Sequence, residues 1–178
     1  MWKVITMKAI ILIGYMGSGK STIGEKTARL LGVEFLDTDV LIEEQEGMTI
    51  SELFAQKGEA YFRQKETETI RNLKKESREM VLATGGGLPM KEENQILLKE
   101  LGIVVYLKAS VDTLVERLKE DTTRPLLQEG DLRKKIETML EIRNPVYENV
   151  ADVVLETDTK SIDETIYYLE QLWITNIQ

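Results

Sequence analysis

The chain has 178 residues, with no cysteine and no histidine. The first absence excludes disulfides, zinc–thiolate centres and thiol nucleophiles. The second excludes imidazole as a base, a metal ligand or a pH switch. Proton transfer and metal binding must therefore fall to carboxylates, lysines, hydroxyls or water. Long apolar runs are missing too. The longest near the N-terminus covers residues 9–13, far short of the ~20 residues that span a bilayer. No small-residue cleavage site follows it. A cytoplasmic location is expected on these grounds, and a reducing compartment suits a chain without cysteine. Residues 1–6 read as an extension, or an upstream start ahead of Met7. Basic residues are outnumbered 23 to 31, which leaves a net charge of −8 and a pI near 4.8. That balance argues against nucleic acid and anionic membranes as partners. It leaves room for a small anion held by a local arginine cluster. A monomer is expected.

What is present alternates between strand-like and helix-like blocks. Residues 9–13, Ala-Ile-Ile-Leu-Ile, form a β-branched run ending at Gly14, the pattern of a buried parallel strand. Helical spacing over 20–31 puts Ile23, Thr27, Leu30 and Leu31 on one side, and Gly32 is a natural stop. A second strand is expected over 33–36, running into Asp37-Thr38-Asp39. A short helix follows over 39–46. Thr49-Ile50-Ser51-Glu52 has the form of a capping box, and a long polar helix should run from Gly58 to about 77. Further strands are expected at 80–83, 103–107 and 153–155. Further helices are expected over 92–101, from Ser110 to about 120, over 132–148 and after Ser161. The polar stretch 121–130 reads as a mobile loop. This alternation predicts an α/β fold, a parallel sheet covered on both faces, with ligands at the carboxyl ends of the strands. No linker divides the chain, so one domain over 1–178 is expected. A lid is expected at about 119–130 and a substrate-binding subregion at about 38–75.

Gly14-Tyr15-Met16-Gly17-Ser18-Gly19-Lys20-Ser21 fits the P-loop pattern G-x-x-x-x-G-K-[ST], with the apolar strand before it and an amphipathic helix after it. Glycines let successive N–H groups curl around phosphate oxygens, and the helix start adds partial positive charge. Lys20 would reach the β- and γ-phosphates of ATP, and Ser21 would place a hydroxyl on Mg²⁺. The motif is shared by ATPases, GTPases and kinases, so it leaves the acceptor open.

Other residues speak to the acceptor. Asp37 and Asp39, two apart at a strand end, are expected to leave on one face. There Asp37 serves the metal and Asp39 accepts a hydrogen bond from an attacking hydroxyl. A plain helix cap fits the same residues. Arg63 and Glu66 are i, i+3 on one helix face, so the glutamate can hold an arginine fork toward a carboxylate. An ordinary surface pair fits equally. Phe54 and Phe62, two of only three phenylalanines, flank this pair and also suit a core. Gly85-Gly86-Gly87 follows a strand and permits a very close approach of something to the backbone. Arg124 lies in the polar loop, and Arg143, with Tyr147 beyond it, lies on the next helix. Each arginine taken singly fits a surface position.

Together these pieces resemble the shikimate kinase family along about the whole chain and in order. The likeness rests on the P-loop, Phe35-Leu36-Asp37-Thr38-Asp39 with Ile42 and Glu43, Thr49-Ile50 through Phe54, and Gly58-Glu59. It continues through Phe62-Arg63 with Glu66, Ala83-Thr84-Gly85-Gly86-Gly87, Arg124-Pro125-Leu126, and Arg143 with Tyr147. The resemblance implies a P-loop NTPase of nucleoside-monophosphate-kinase-like fold, with a five-stranded parallel sheet flanked by helices. It implies ATP-dependent phosphorylation of the 3-hydroxyl of shikimate in aromatic amino-acid biosynthesis. By position it implies ATP binding by Gly17, Ser18, Gly19, Lys20, Ser21, Thr22, Arg117 and Arg124. Shikimate would be held by Asp39, Arg63, Gly85, Gly86, Gly87 and Arg143, and Mg²⁺ by Ser21 and Asp37. Lys20, Asp39 and Arg124 would be the catalytic set. A gluconate kinase of the same fold is the nearest alternative enzyme. A non-catalytic nucleotide module is the alternative of another class, and the lack of a guanine-reading N-K-x-D speaks against it.

Overall fold

The computed structural model describes residues 9–120 and 130–177. Five strands, β1 (Ala9–Ile13), β2 (Glu34–Asp37), β3 (Met80–Ala83), β4 (Ile103–Lys108) and β5 (Val153–Glu156), form one sheet in the order β2-β3-β1-β4-β5. Every pairing is parallel. Eight helices connect or follow them: α1 (Lys20–Leu31), α2 (Thr38–Glu46), α3 (Ile50–Lys57), α4 (Glu59–Glu76), α5 (Glu92–Leu101), α6 (Val111–Leu118), α7 (Leu132–Val150) and α8 (Ile162–Ile177).

β1 shows why its run has no polar residue. Side chains alternate between faces, and both faces are covered. Ala9, Ile11 and Ile13 pack with Ile70 and Leu73 of α4, Leu98 and Leu101 of α5, and Tyr147 and Val150 of α7. Ile10 and Leu12 pack with Ile23 and Ala28 of α1 and with Ile166 and Leu169 of α8. Each such Ile or Leu contributes roughly 1.5–3 kcal/mol relative to exposure. β1 is central, with β3 on one side and β4 on the other. Its carboxyl end is therefore the point where strand order reverses, where parallel sheets open a crevice for ligands. The phosphate loop begins there.

Several boundaries differ from the sequence reading. β2 sits one residue later, and α2 starts at Thr38 because Asp37 caps it: its side chain accepts the Asp39 N–H. A 3-10 turn, Leu88–Met90, follows the three glycines and closes with Pro89 in its first turn. α6 stops at Leu118. α7 runs through Pro145 to Val150. A proline inside a helix costs ~3 kcal/mol, but Leu140, Tyr147 and Val150 on either side of it are buried in the core, and that packing carries the helix through. Among the described residues no helix is long and apolar enough to cross a membrane.

The expected subregion at 38–75 has a small core of its own. Ile42 of α2, Leu53 of α3 and Phe62 of α4 are buried together, with the Phe54 and Phe62 rings 4.8 Å apart. Thr49 and Glu52 form the expected capping box. Glu46 ties the three helices, taking Lys57 at 2.7 Å, the Tyr61 hydroxyl at 3.0 Å and Lys65 at 3.3 Å.

Candidate active site

The phosphate end is made mostly of backbone. Gly14, Gly17 and Gly19 have φ of +148°, +80° and +96°, values that side chains resist. Gly14 is also short of space: a Cβ there would lie 2.7 Å from the Leu107 carbonyl oxygen. Gly19 is the N-cap of α1 and no side chain caps that helix, so its first N–H groups stay available to an anion. The Lys20 ammonium turns back over the loop, donating to the carbonyls of Gly14 at 2.8 Å and Tyr15 at 2.9 Å. Ser18 is buried, and among the described residues its hydroxyl has no hydrogen-bond partner. A buried hydroxyl with no partner is costly unless a ligand completes it. Thr22 is exposed in the first turn of α1. Arg117 of α6 donates to the Gly17 carbonyl at 3.0 Å, which places its guanidinium on the rim of the loop.

Beside the loop, the Ser21 hydroxyl donates to Asp37 Oδ2 at 2.9 Å while Asp37 Oδ1 caps α2. Two hard oxygens beside a phosphate cradle fit Mg²⁺, which takes one or two protein oxygens and keeps water and phosphate for the rest. Among the described residues no group of three acidic side chains offers a fuller cage. The expected shared face of Asp37 and Asp39 is replaced by a helix cap: Asp37 Oδ1 takes the Asp39 backbone N–H, while the Asp39 carboxylate lies at Gly85. Asp39 is in the first helical turn, so strand alternation does not apply.

The acceptor end is made of side chains converging on Gly85-Gly86-Gly87, and each glycine makes room for a different one. A Cβ at Gly85 would lie 2.6 Å from Asp39 Oδ1, one at Gly86 3.2 Å from an Arg143 nitrogen, and one at Gly87 2.5 Å from an Arg63 nitrogen. The need is for space; none of the three has positive φ. The turn is fixed from outside, since Gly85 N–H donates to the buried Thr38 hydroxyl at 2.9 Å and Asn94 holds the Leu88 carbonyl at 2.9 Å. Arg63 is gripped by Glu66 at 2.8 Å and Glu59 at 3.2 Å. Arg143 lies over the Tyr15 ring at 5.7 Å.

Two groups in this pocket titrate out of their ordinary range. The Glu66 side chain has no exposure, and among the described residues its Oε1 has no hydrogen-bond partner. Burial pushes its carboxyl from 4.5 up to about 7; Arg63 opposes the rise, Asp39 adds to it and Arg143 opposes it. Burial likewise pushes the Tyr147 phenol up to about 12, against the pull of Arg143.

The residues expected on sequence grounds therefore fall into two adjoining groups: Gly17, Ser18, Gly19, Lys20, Ser21, Thr22, Arg117 and Asp37 at the loop, and Asp39, Arg63, Gly85, Gly86, Gly87 and Arg143 beyond it. Gly86 joins them, since its Cβ would also lie 3.4 Å from the Gly14 carbonyl. Arg124 and most of the expected lid lie outside the described residues. Sequence reasoning gave no role to Thr38, Glu59 or Asn94. Thr38 had a signal, standing between two aspartates already singled out; Asn94 had none, because its partner is a loop carbonyl that only the fold supplies.

Comparison with known proteins agrees with this geometry. The family model described as shikimate kinase matches residues 16–173. The shikimate kinase of Actinobacillus pleuropneumoniae serotype 5b (strain L20) is 43% identical over 169 residues, 95% of this chain and 96% of that protein. That of Marinomonas sp. (strain MWYL1) is 45% identical over 152 residues, 85% and 84% of the two. Among solved structures, a shikimate kinase from Acinetobacter baumannii in complex with shikimate superposes with a TM-score of 0.87 at 41% identity, covering 96% of this chain and 95% of that one. A gluconokinase from Sinorhizobium meliloti 1021 reaches 0.57 at 20% identity over 96% and 98%, and shares the fold alone. The P-loop fold, the acceptor pocket and these likenesses lead to one conclusion: this chain belongs to the shikimate kinase family.

Proposed function

We propose that the chain transfers the γ-phosphoryl group of ATP to the 3-hydroxyl of shikimate. The observation that carries this reading is the convergence of Asp39, Arg63 and Arg143 on three glycines at the mouth of a phosphate loop. A small hydroxylated carboxylate needs an anion clamp and a hydroxyl acceptor, and this pocket offers both. The arginine forks take the carboxylate bidentately. Asp39 takes the hydrogen bond of the attacking hydroxyl and then its proton. The bond from the hydroxyl oxygen to phosphorus forms as the bond from phosphorus to the β,γ-bridging oxygen breaks, and ADP leaves. Lys20 leaves the carbonyls of its own loop to meet the charge gathering on that bridging oxygen. The transition state is loose, so positioning matters more than basicity. Ser21 and Asp37 would hold Mg²⁺, which neutralises phosphate charge when bound. Arg124, outside the described residues, and Arg117 complete the proposed ATP contacts.

The test is ATP turnover with shikimate, with gluconate and with neither. ADP release should depend on shikimate and match phosphorylated shikimate mole for mole. Faster turnover with gluconate, or release indifferent to either acid, overturns the reading.

A further inference from the structure

One contact in the pocket joins a buried side chain to the substrate floor without facing the substrate. Tyr147 of α7 has no exposed surface. Its hydroxyl donates to the Gly86 carbonyl at 2.5 Å, and the Arg143 guanidinium lies beside the same glycine, a nitrogen 3.2 Å and the Tyr147 oxygen 3.6 Å from where a Cβ on Gly86 would stand. Its ring stands 5.0 Å from that of Tyr106, whose own hydroxyl donates to Asn144 at 2.7 Å. The Gly86 peptide is planar, so holding its carbonyl also sets the direction of the Gly87 N–H on the other edge. Among the described residues neither the Gly86 nor the Gly87 N–H donates a hydrogen bond. Three adjacent glycines would otherwise be the least ordered floor a chain can build.

We propose that Tyr147 is a positioning residue for acceptor binding: its hydroxyl latches the Gly86 peptide beside the Arg143 guanidinium, so that the glycine N–H groups meet the acceptor preset next to the arginine fork. This rests on the functional reading above. The latch joins the turn after β3 to α7, the helix that also carries Arg143. The cost of ordering them is met on folding instead of on binding, which raises affinity without adding a contact.

Tyr147→Phe keeps the ring and removes only the hydroxyl; Tyr106→Phe removes the hydroxyl of the adjoining ring, which touches only α7. Shikimate and ATP affinities by titration calorimetry, steady-state constants and melting temperatures are compared across wild type and both variants. Tyr147→Phe should weaken shikimate binding about tenfold, the scale of one lost hydrogen bond to an ordered partner. ATP affinity should stay within about twofold, and KM for shikimate should rise more than kcat falls. Tyr106→Phe should lower the melting temperature with shikimate affinity kept. In an Arg143→Lys background, loss of the Tyr147 hydroxyl should matter less, because the fork that the latched Gly86 peptide adjoins is gone. Unchanged shikimate affinity in a folded Tyr147→Phe protein, or a parallel fall in ATP affinity, overturns the proposal. Should Tyr147→Phe fail to fold, Tyr106→Phe decides it: a folded Tyr106→Phe protein that loses shikimate affinity about tenfold makes the effect one of packing and overturns the proposal, and one that keeps it supports the latch. Wild type that does not phosphorylate shikimate overturns both readings; wild type that does, with an indifferent Tyr147 variant, overturns only this one.

Discussion

The two ends of the site hold charge by different means. At the phosphate end, backbone does most of the holding, through glycines with positive φ and an uncapped helix start. At the acceptor end, the glycines carry no unusual φ and serve to leave room, while Asp39, Glu66, Arg63 and Arg143 hold the charge. Peptide groups cannot be varied one by one, so the first design suits a ligand part common to many enzymes. Side chains can be varied, so the second suits the part that makes one acceptor different from another. The comparison teaches where to expect each kind of failure: loss of chemistry or of fold at the loop, loss of acceptor recognition at the glycine trio.

Lys20→Ala should have the largest effect. It removes the one charged side chain of the loop, and kcat should fall by about 10²–10³, with a native circular dichroism spectrum. A variant that keeps more than about a tenth of wild-type kcat would refute the role and leave the loop as a binder only. Asp39→Asn comes next. It should keep ATP affinity and the fold but lose most shikimate phosphorylation, because an amide oxygen accepts a hydrogen bond yet takes no proton. Calorimetry beside kcat decides between orienting and proton transfer: shikimate affinity kept with almost no turnover marks the base. Near-normal kcat in both Asn and Ala variants would remove Asp39 from the site.

Glu66 tests whether the acceptor end alone responds near neutral pH. Its carboxyl is raised from 4.5 to about 7 in the folded chain, so the folded state holds a proton that the unfolded state has lost. Stability should therefore fall as pH rises from about 4.5 to about 7, by up to about 3 kcal/mol. Glu66→Gln should flatten that slope in melting temperature against pH; an unchanged slope would place the titration elsewhere. The smallest effects come from a pair of alanines. At Gly14 an added Cβ meets backbone, the Leu107 oxygen, at strained φ; at Gly87 it meets only the movable end of Arg63. Gly14→Ala should cost ~1–3 kcal/mol of stability. Gly87→Ala should keep the melting temperature within about 2 °C and raise KM for shikimate several-fold, ATP being unaffected. Equal melting losses in both would erase the distinction drawn here.

Much of this was legible before any coordinates. Strict apolar runs gave the central strands, since a strand covered on both faces tolerates no polar residue, and Gly32 marked a helix end seen in the fold. The P-loop was legible because its pattern is local. The acceptor pocket was legible as a list of residues but not as an arrangement. Asp39 faces Gly85 across 46 positions and Arg143 faces Gly86 across 57, and no local period encodes such meetings. The Asp37–Asp39 pair was placed on one face by a strand argument, whereas Asp39 opens a helix that Asp37 caps, and the two carboxylates take different partners. Tyr147 showed its position in the sequence but not its partner, which is a single loop carbonyl.

The glycine trio has a consequence for descent as well as for catalysis. A methyl group is the smallest side chain that mutation can add, and at 85, 86 and 87 it would press on a different arm each time: Asp39, Arg143 or Arg63. Each arm in turn fills the hollow its own glycine leaves. A lineage drifting toward another acceptor must change arm and hollow together, and every single step between the two passes through a crowded or an empty pocket. On the proposed reading each single change costs acceptor affinity before a second restores it, as the several-fold rise in KM expected of Gly87→Ala illustrates.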